Sequence, residues 1–205
     1  MKHIEDTFQQ LRIFLAEYIP CSEEEWRFVQ ACFHPPQIFD KGDYLCSEGH
    51  TCDYLWYQIT GLIRFFNVDE NGEEQTRHFS FPDILLTSYA SFVQRIPSPE
   101  SIQALETTLV LPLHYQRNQE LASQLPQWSV FTEKYVREVY AYLEQRLRDQ
   151  LGKTAEQRYH DFCQTFPQYA HRIPLQQIAS YLGITPQSLS RIRRASLPQE
   201  KRRTK

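Results

Sequence analysis

The densest chemistry in this chain lies near its end. Thr185, Gln187, Ser188, Ser190, Arg191, Arg193 and Arg194 crowd into ten residues, a set of hydroxyl, amide and guanidinium groups of the kind that bonds base edges and phosphates. Amides of this type favour adenine, and guanidinium groups favour guanine. The same stretch carries Leu189 and Ile192 at a spacing of three, an apolar stripe for one face of a helix. Just upstream, Ile178, Ala179 and Leu182 form a matching stripe, and small Ala179 lets two helices approach. Gly183 falls where a helix end needs a residue tolerant of positive φ, and Thr185-Pro186 reads as an N-cap followed by the first helical residue. The spacing predicts helix, tight turn, helix. Gln187, Ser188 and Arg191 would face a DNA groove, with Arg193 and Arg194 reaching phosphates. A helical hairpin whose arginines are merely solvated would show the same spacing.

Charge favours the first reading. From Pro186 to Lys205 there are seven basic residues (Arg191, Arg193, Arg194, Lys201, Arg202, Arg203, Lys205) against Glu200, a net of +6 in a 205-residue chain whose total is −3, leaving −9 for the remainder. A chain that is acidic except at one terminus carries the electrostatic footprint of phosphate attraction. Lys201 to Lys205 read as a phosphate-binding tail, or more plainly as a terminus whose charge only aids solubility.

The elements that must position this segment follow from the rest of the chain. A hydrophobic share of 41% and an aromatic share of 14% suit a packed medium domain plus a small one. No apolar run is long enough for a bilayer, and residues 1–6 lack the apolar core of a leader peptide, so no membrane partner and a cytoplasmic location are expected. Cys21, Cys32, Cys46, Cys52 and Cys163 are odd in number and scattered, which predicts free thiols. Cys46 and Cys52, the closest pair, have no companion Cys or His cluster for a metal or iron-sulfur site. No metal or cofactor is expected.

Near the start, Ile4, Phe8, Leu11, Phe14, Leu15 and Tyr18 fall on one helical face. Ser22 with Glu25 has the pattern of a capping box opening a second helix, and Pro35-Pro36 stops it. From Gln37 to about Pro112, short β-branched and aromatic runs alternate with turns at Gly42, Gly49, Gly61 and Gly72, predicting an antiparallel sandwich or barrel. Between Pro126 and about Leu151, Trp128, Phe131, Tyr135, Val139, Tyr142 or Leu143, Leu147 and Leu151 form a seam that either pairs with its twin or docks on its own barrel. Thr154 then caps a helix with Ala155, Tyr159, Phe162 and Phe166 as the base for the two terminal helices.

The order Lys41-Gly42-Asp43, Glu48-Gly49, Tyr54 to Ile59 with Gly61, Gly72-Glu73-Glu74 and Ser101 to Glu106 resembles the cyclic-nucleotide-binding jelly roll. With the terminal helices, nearly the whole chain is similar to the bacterial regulators of the cyclic-AMP receptor protein and fumarate-nitrate regulator (CRP/FNR) family. The resemblance implies an α+β fold: an effector domain over residues 1–126 with a β jelly roll (double-stranded β-helix), a dimerisation helix over 127–151, and an all-α helix-turn-helix domain over 152–205. It also implies a non-enzymatic homodimer that binds near-palindromic double-stranded DNA, works with RNA polymerase, and senses a small-molecule effector in the roll.

Departures from the family pattern sharpen this. Cyclic-nucleotide binders use a Gly-Glu pair for ribose and an Arg-Ser or Arg-Thr pair for the phosphate, whereas Pro82 to Tyr89 contains no Gly-Glu and Ser98-Pro99 stands where the phosphate pair would be. Glu100 beside them repels an anion, and Arg95 is a displaced substitute. Tyr89, Arg95, Ser98 and Glu100 are the expected effector residues, and cyclic AMP is expected not to bind well. Cys21 alone among residues 1–30 does not make an iron-sulfur cluster, and His78 is a lone strand histidine rather than a haem ligand. Tyr57, Tyr89 and Phe92 would line a pocket for a small apolar ligand or be plain core. The β-hairpin wing that usually follows the recognition helix is missing. A cupin-like binding protein shares the roll but needs a His-x-His metal cluster that the seven histidines do not supply. A helix-turn-helix that docks on a protein instead of DNA is the other alternative.

Overall fold

A computed structural model describes residues 2–195. Two helices come first, α1 (Lys2–Ala16) and α2 (Glu23–Cys32). Ser22 caps α2 in the predicted capping box: its Oγ accepts from the Glu25 N–H at 3.2 Å, and the Glu25 carboxylate accepts from the Ser22 N–H at 2.7 Å. The strands are β1 (Gln37–Phe39), β2 (Tyr44–Cys46), β3 (Tyr54–Thr60), β4 (Ile63–Val68), β5 (Glu74–Ser80) and β6 (Ile84–Leu86). A short helix, α3 (Tyr89–Gln94), precedes β7 (Ser101–Ala104) and β8 (Thr108–His114). The chain ends in helices α4 (Tyr115–Gln124), α5 (Pro126–Gly152), α6 (Ala155–Thr165), α7 (Leu175–Leu182) and α8 (Pro186–Ala195).

The strands form two four-stranded sheets in the orders β1-β8-β3-β6 and β2-β7-β4-β5, and every pairing is antiparallel. Chain-order neighbours such as β1 and β2 thus sit in opposite sheets, the arrangement of a jelly roll. Trp56, Ile63, Phe65, Leu86, Ile102 and Val110 fill the space between the sheets, together with Cys46 and Cys52. On the other side of the first sheet, α1, α2, α4 and α5 bury Leu11, Leu15, Val29, Leu121, Trp128 and Phe131 against Tyr57, Leu111 and Leu113. Gly61, between β3 and β4, has φ +94°, and a Cβ there would stand 2.7 Å from the Thr108 Cα, so the turn and the close approach both require glycine.

The long helix divides the predicted seam. Trp128 and Phe131 are fully buried in the chain's own core, and the Tyr135 hydroxyl donates to the Leu85 carbonyl at 2.7 Å while accepting from the Leu85 N–H at 3.0 Å. These three members of the stripe therefore dock on the roll. Beyond them α5 leaves the roll, and Val136, Val139, Tyr140, Leu143, Leu147 and Leu151 stay exposed, Leu147 at 56% and Leu151 at 82%.

The three C-terminal helices share an apolar cluster with the roll. Phe162, Ile173, Ile178, Ala179, Leu182 and Leu189 pack with Leu62 and Phe79, and Phe81 stacks on Phe166 with ring centroids 4.3 Å apart. Helix α7 also closes the outer edge of the second sheet, where β5 is the last strand. The Ser180 Oγ accepts from the Thr76 N–H and donates to the Glu74 carbonyl, both at 2.8 Å.

Candidate nucleic-acid interface

The two terminal helices are set by local chemistry. Gly183 ends α7 with φ 67° and ψ 35°, and the Ile184 N–H returns to the Ala179 carbonyl at 3.0 Å, a left-handed helix stop that a Cβ would strain. The Thr185 Oγ1 then accepts from the Ser188 N–H at 3.2 Å, capping α8, and Pro186 occupies its first position. Leu189 has no solvent exposure and anchors α8 on Ile178, Ala179 and Leu182. Arg158 braces the pair from α6, donating to the Leu182 carbonyl at 2.8 Å and the Lys153 carbonyl at 2.6 Å.

With one face held this way, the rotation of α8 is fixed. Gln187, Arg191 and Arg194 are exposed and follow each other at intervals of four and three, so they form one line along the helix. Ser188 and Ser190 flank that line half-buried. Thr185 is engaged as the cap. Arg193 is exposed but turned toward α6, where its charge lowers the Tyr159 pKa against the larger raising effect of burial. Arg193 and Arg194 in the last turn also complement the helix dipole. The basic tail and the missing wing lie outside the described residues.

The four expected effector residues lie between the start of α3 and the start of β7. Tyr89 is 56% exposed at the start of α3. Arg95 caps the end of that helix at φ 58°, donates to the Cys52 carbonyl at 2.9 Å, pairs with Asp53, and lies over the Tyr115 ring. Its guanidinium is committed to tying α3 to the chain at Cys52. Ser98 and Glu100 do come together. The Ser98 hydroxyl, fully buried, donates to the Glu100 carbonyl at 2.6 Å and lies 2.8 Å from the Ser88 Oγ. Burial raises the Glu100 carboxyl pKa, opposed by Arg77, 3.8 Å away. Two surface clefts are lined elsewhere, one by Phe8, Arg27, Ala31 and Phe33, the other by Thr154, Gln157, His160 and Asp161.

His78 stacks on Phe65 at 3.9 Å, and burial pulls its pKa down to about 3 with help from Arg146 and Arg77. Tyr57 and Phe92 are core, as one of the two readings had it. The sequence reading missed Ser180, Arg146 and Arg158. Arg146 lies over the Tyr181 ring at 3.6 Å and donates to the Tyr181 carbonyl at 3.3 Å. The trace they leave in sequence is faint: a serine inside an apolar helix stripe and arginines on faces that look solvated.

The described residues thus form a β jelly roll joined by a long helix to a helix-turn-helix. Residues 36–124 match the cyclic nucleotide-binding domain family. The chain is 28% identical over 170 residues to the transcriptional activator protein Anr of Pseudomonas protegens, and equally to the transcriptional activator protein FnrA of Stutzerimonas stutzeri, in each case covering 74% of this chain. It spans 66% of the length of these relatives, just under two thirds. The fold is similar to FixK2 from Bradyrhizobium japonicum, with a TM-score of 0.70 at 17% identity over 82% of this chain and 84% of that one. The fold is also similar to that of a putative transcriptional regulator of the CRP/FNR family from Eubacterium rectale, with a TM-score of 0.69 at 16% identity over 87% of each chain. Among the described residues no helix is long and apolar enough to cross a membrane.

Proposed function

We propose that this protein is a homodimeric regulator that reads a near-palindromic DNA site with α8 and answers to an effector other than cyclic AMP. The observation that carries the reading is the exposed line Gln187, Arg191 and Arg194 on a helix whose opposite side is locked by Leu189. Hydrogen-bonding groups on a rigid helix are what direct readout in a major groove requires. The exposed stripe on α5 supports dimerisation: Val136, Tyr140, Leu143 and Leu147 repeat at four, three and four residues, the spacing of a coiled-coil seam. Two such chains would present two α8 helices to successive half-sites.

On this reading residues 1–126 form the effector domain, 127–151 the dimerisation helix and 152–205 the DNA-binding domain, with RNA polymerase as a further partner in the cytoplasm. Arg95 is held by Asp53 and the Cys52 carbonyl, and Glu100 stands where an anion would arrive, which supports an effector without a cyclic phosphate. Titration with cyclic AMP is expected to leave the melting temperature unmoved.

Selection of sites from a random duplex library, without ligand and at two salt concentrations, tests the reading. Enrichment of a two-fold-symmetric motif is the expected result. Salt-sensitive binding without a motif would mean that an effector is required or that specificity has been lost. An absence of binding would favour the protein-docking alternative.

A further inference from the structure

Two arginines from different helices take the last carbonyls of α7. Carbonyls in the final turn of a helix have no partner within it, and those of Tyr181 and Leu182 are such groups, since α7 ends at Leu182. Arg146 on α5 donates through Nη2 to the Tyr181 carbonyl at 3.3 Å, with its guanidinium 3.6 Å from the Tyr181 ring centroid. Arg158 on α6 donates through Nη2 to the Leu182 carbonyl at 2.8 Å. Through Nη1 the same guanidinium reaches the other way, to the Gln150 carbonyl at 3.2 Å and the Lys153 carbonyl at 2.6 Å, where α5 ends. One side chain thus joins the C-terminal ends of α5 and α7, and the negative ends of two helix dipoles face one cation. Lys153 ties α5 to α6 as well, its Nζ lying 3.1 Å from Asp149 and 2.7 Å from Asp161.

What this joint governs follows from the chain beyond it. Only Gly183, Ile184 and Thr185 separate α7 from α8, and all three are held. The Gly183 N–H donates to the Ser180 carbonyl and the Ile184 N–H to the Ala179 carbonyl, both at 3.0 Å, and Thr185 caps α8. Fixing the end of α7 therefore fixes α8. The apolar cluster under the two helices resists their separation, but burial is non-directional and does not select a rotation. A planar guanidinium fork is directional. The Arg158 Nε is buried with no hydrogen-bond partner among the described residues, so the fork is oriented by the two helix ends and not by full pairing of its own donors.

We propose that Arg146 and Arg158 are positioning residues for DNA reading: they set the angle between α5 and α8, and with it the separation of the two half-sites that a dimer engages. The inference rests on the dimeric DNA-reading function above and adds to it the residues that determine spacing. Each added base pair moves a half-site by about 3.4 Å and turns it by about 34°, a mismatch that a rigid joint rejects and a loose one tolerates. Neither arginine touches a base, a task that stays with Gln187, Arg191 and Arg194 on the exposed line of α8.

The test measures the affinity of the full chain for duplexes carrying two half-sites, in the sequence that the wild type selects, with their separation lengthened or shortened by single base pairs. The wild type should prefer one separation. Arg146→Ala and Arg158→Ala should each narrow that preference by about tenfold, with base preference inside a half-site unchanged. Arg146→Lys, which keeps a cation for the ring and one carbonyl, should recover most of the preference. Arg148→Ala, which removes an equal charge from an exposed position on the same helix, should lose none. An unchanged separation profile in Arg146→Ala or in folded Arg158→Ala, or an equal loss in Arg148→Ala, would overturn the proposal. Arg146 is partly exposed, so its variant decides the matter even where Arg158→Ala folds poorly. A wild type with no preferred separation would instead overturn the dimeric reading, and this inference with it.

Discussion

Replacing Ser180 by alanine should loosen the terminal helices from the roll by an amount the geometry bounds. The hydroxyl accepts from the Thr76 N–H and donates to the Glu74 carbonyl, both at 2.8 Å, so a single side chain satisfies a donor and an acceptor on the edge strand β5. Edge strands otherwise leave such groups open. Glu74 is exposed, and water replaces the bond to its carbonyl at little cost. Thr76 is buried, and its amide loses a partner without gaining easy access to solvent. A hydrogen bond contributes about 0.5–1.5 kcal/mol net and an orphaned buried group costs about 1–3 kcal/mol, so a total of about 1–2 kcal/mol is expected. Urea denaturation reads the global change, and hydrogen exchange at the Thr76 amide reads the local one, with protection falling about tenfold for every 1.4 kcal/mol. Gln176→Ala, on the exposed side of the same helix, should stay within about 0.5 kcal/mol of wild type. Unchanged stability together with unchanged Thr76 protection would refute the assignment.

Three further outcomes follow from the same geometry. Arg191→Ala should cost about 1–3 kcal/mol in DNA affinity and relax preference at one base position, and competition binding in which the variant keeps the wild-type preference at every position would count against a base contact. Leu147→Glu places a charge in the exposed α5 stripe and should convert the proposed dimer to monomer in sedimentation velocity, whereas a persisting dimer would move the interface off α5. The third concerns acid. His78 is held neutral in the fold, with its pKa lowered from 6.5 to about 3, so the unfolded chain binds the proton first. The stability this gives is complete above pH 6.5 and is lost as the pH falls toward 3. The slope from this one residue is at most about 1.4 kcal/mol per pH unit. His78→Gln should therefore lose less stability than wild type between pH 6 and pH 4 in urea titrations, and parallel curves would contradict the burial.

Elements specified by neighbours in the chain were legible in the sequence. The Ser22 and Glu25 capping box, the Thr154 cap, the stop at Gly183 and the cap at Thr185 each involve residues a few positions apart, and each appears as read. The jelly roll was legible because its turns come in a fixed order of glycines, although neither the strand order of its two sheets nor the β2 register shift leaves a mark in composition. The α5 seam was read as one stripe because helical periodicity records which residues share a face and not what covers them. Trp128, Phe131 and Tyr135 meet the roll, and the stripe becomes free only where the helix outruns it.

The surroundings of the expected effector residues were not legible for a different reason. Aligning an arginine with a family position states where its backbone falls, while its role depends on which acceptor lies in reach. Arg95 has positive φ, and from that conformation it meets the Cys52 carbonyl and Asp53, two groups more than forty residues upstream. Cys52 is likewise 39 residues from Ser91 and 35 from Thr87, which give its amide and its sulfur polar partners in the core. The end of the roll is thus organised by contacts between the segment around Cys52 and the segment from Ser88 to Glu100. A perturbation at either segment acts on the other through short hydrogen bonds rather than through a flexible loop. This is why Cys52, Ser91 and Arg95, which look unrelated in the sequence, are tied to one another at this end of the roll.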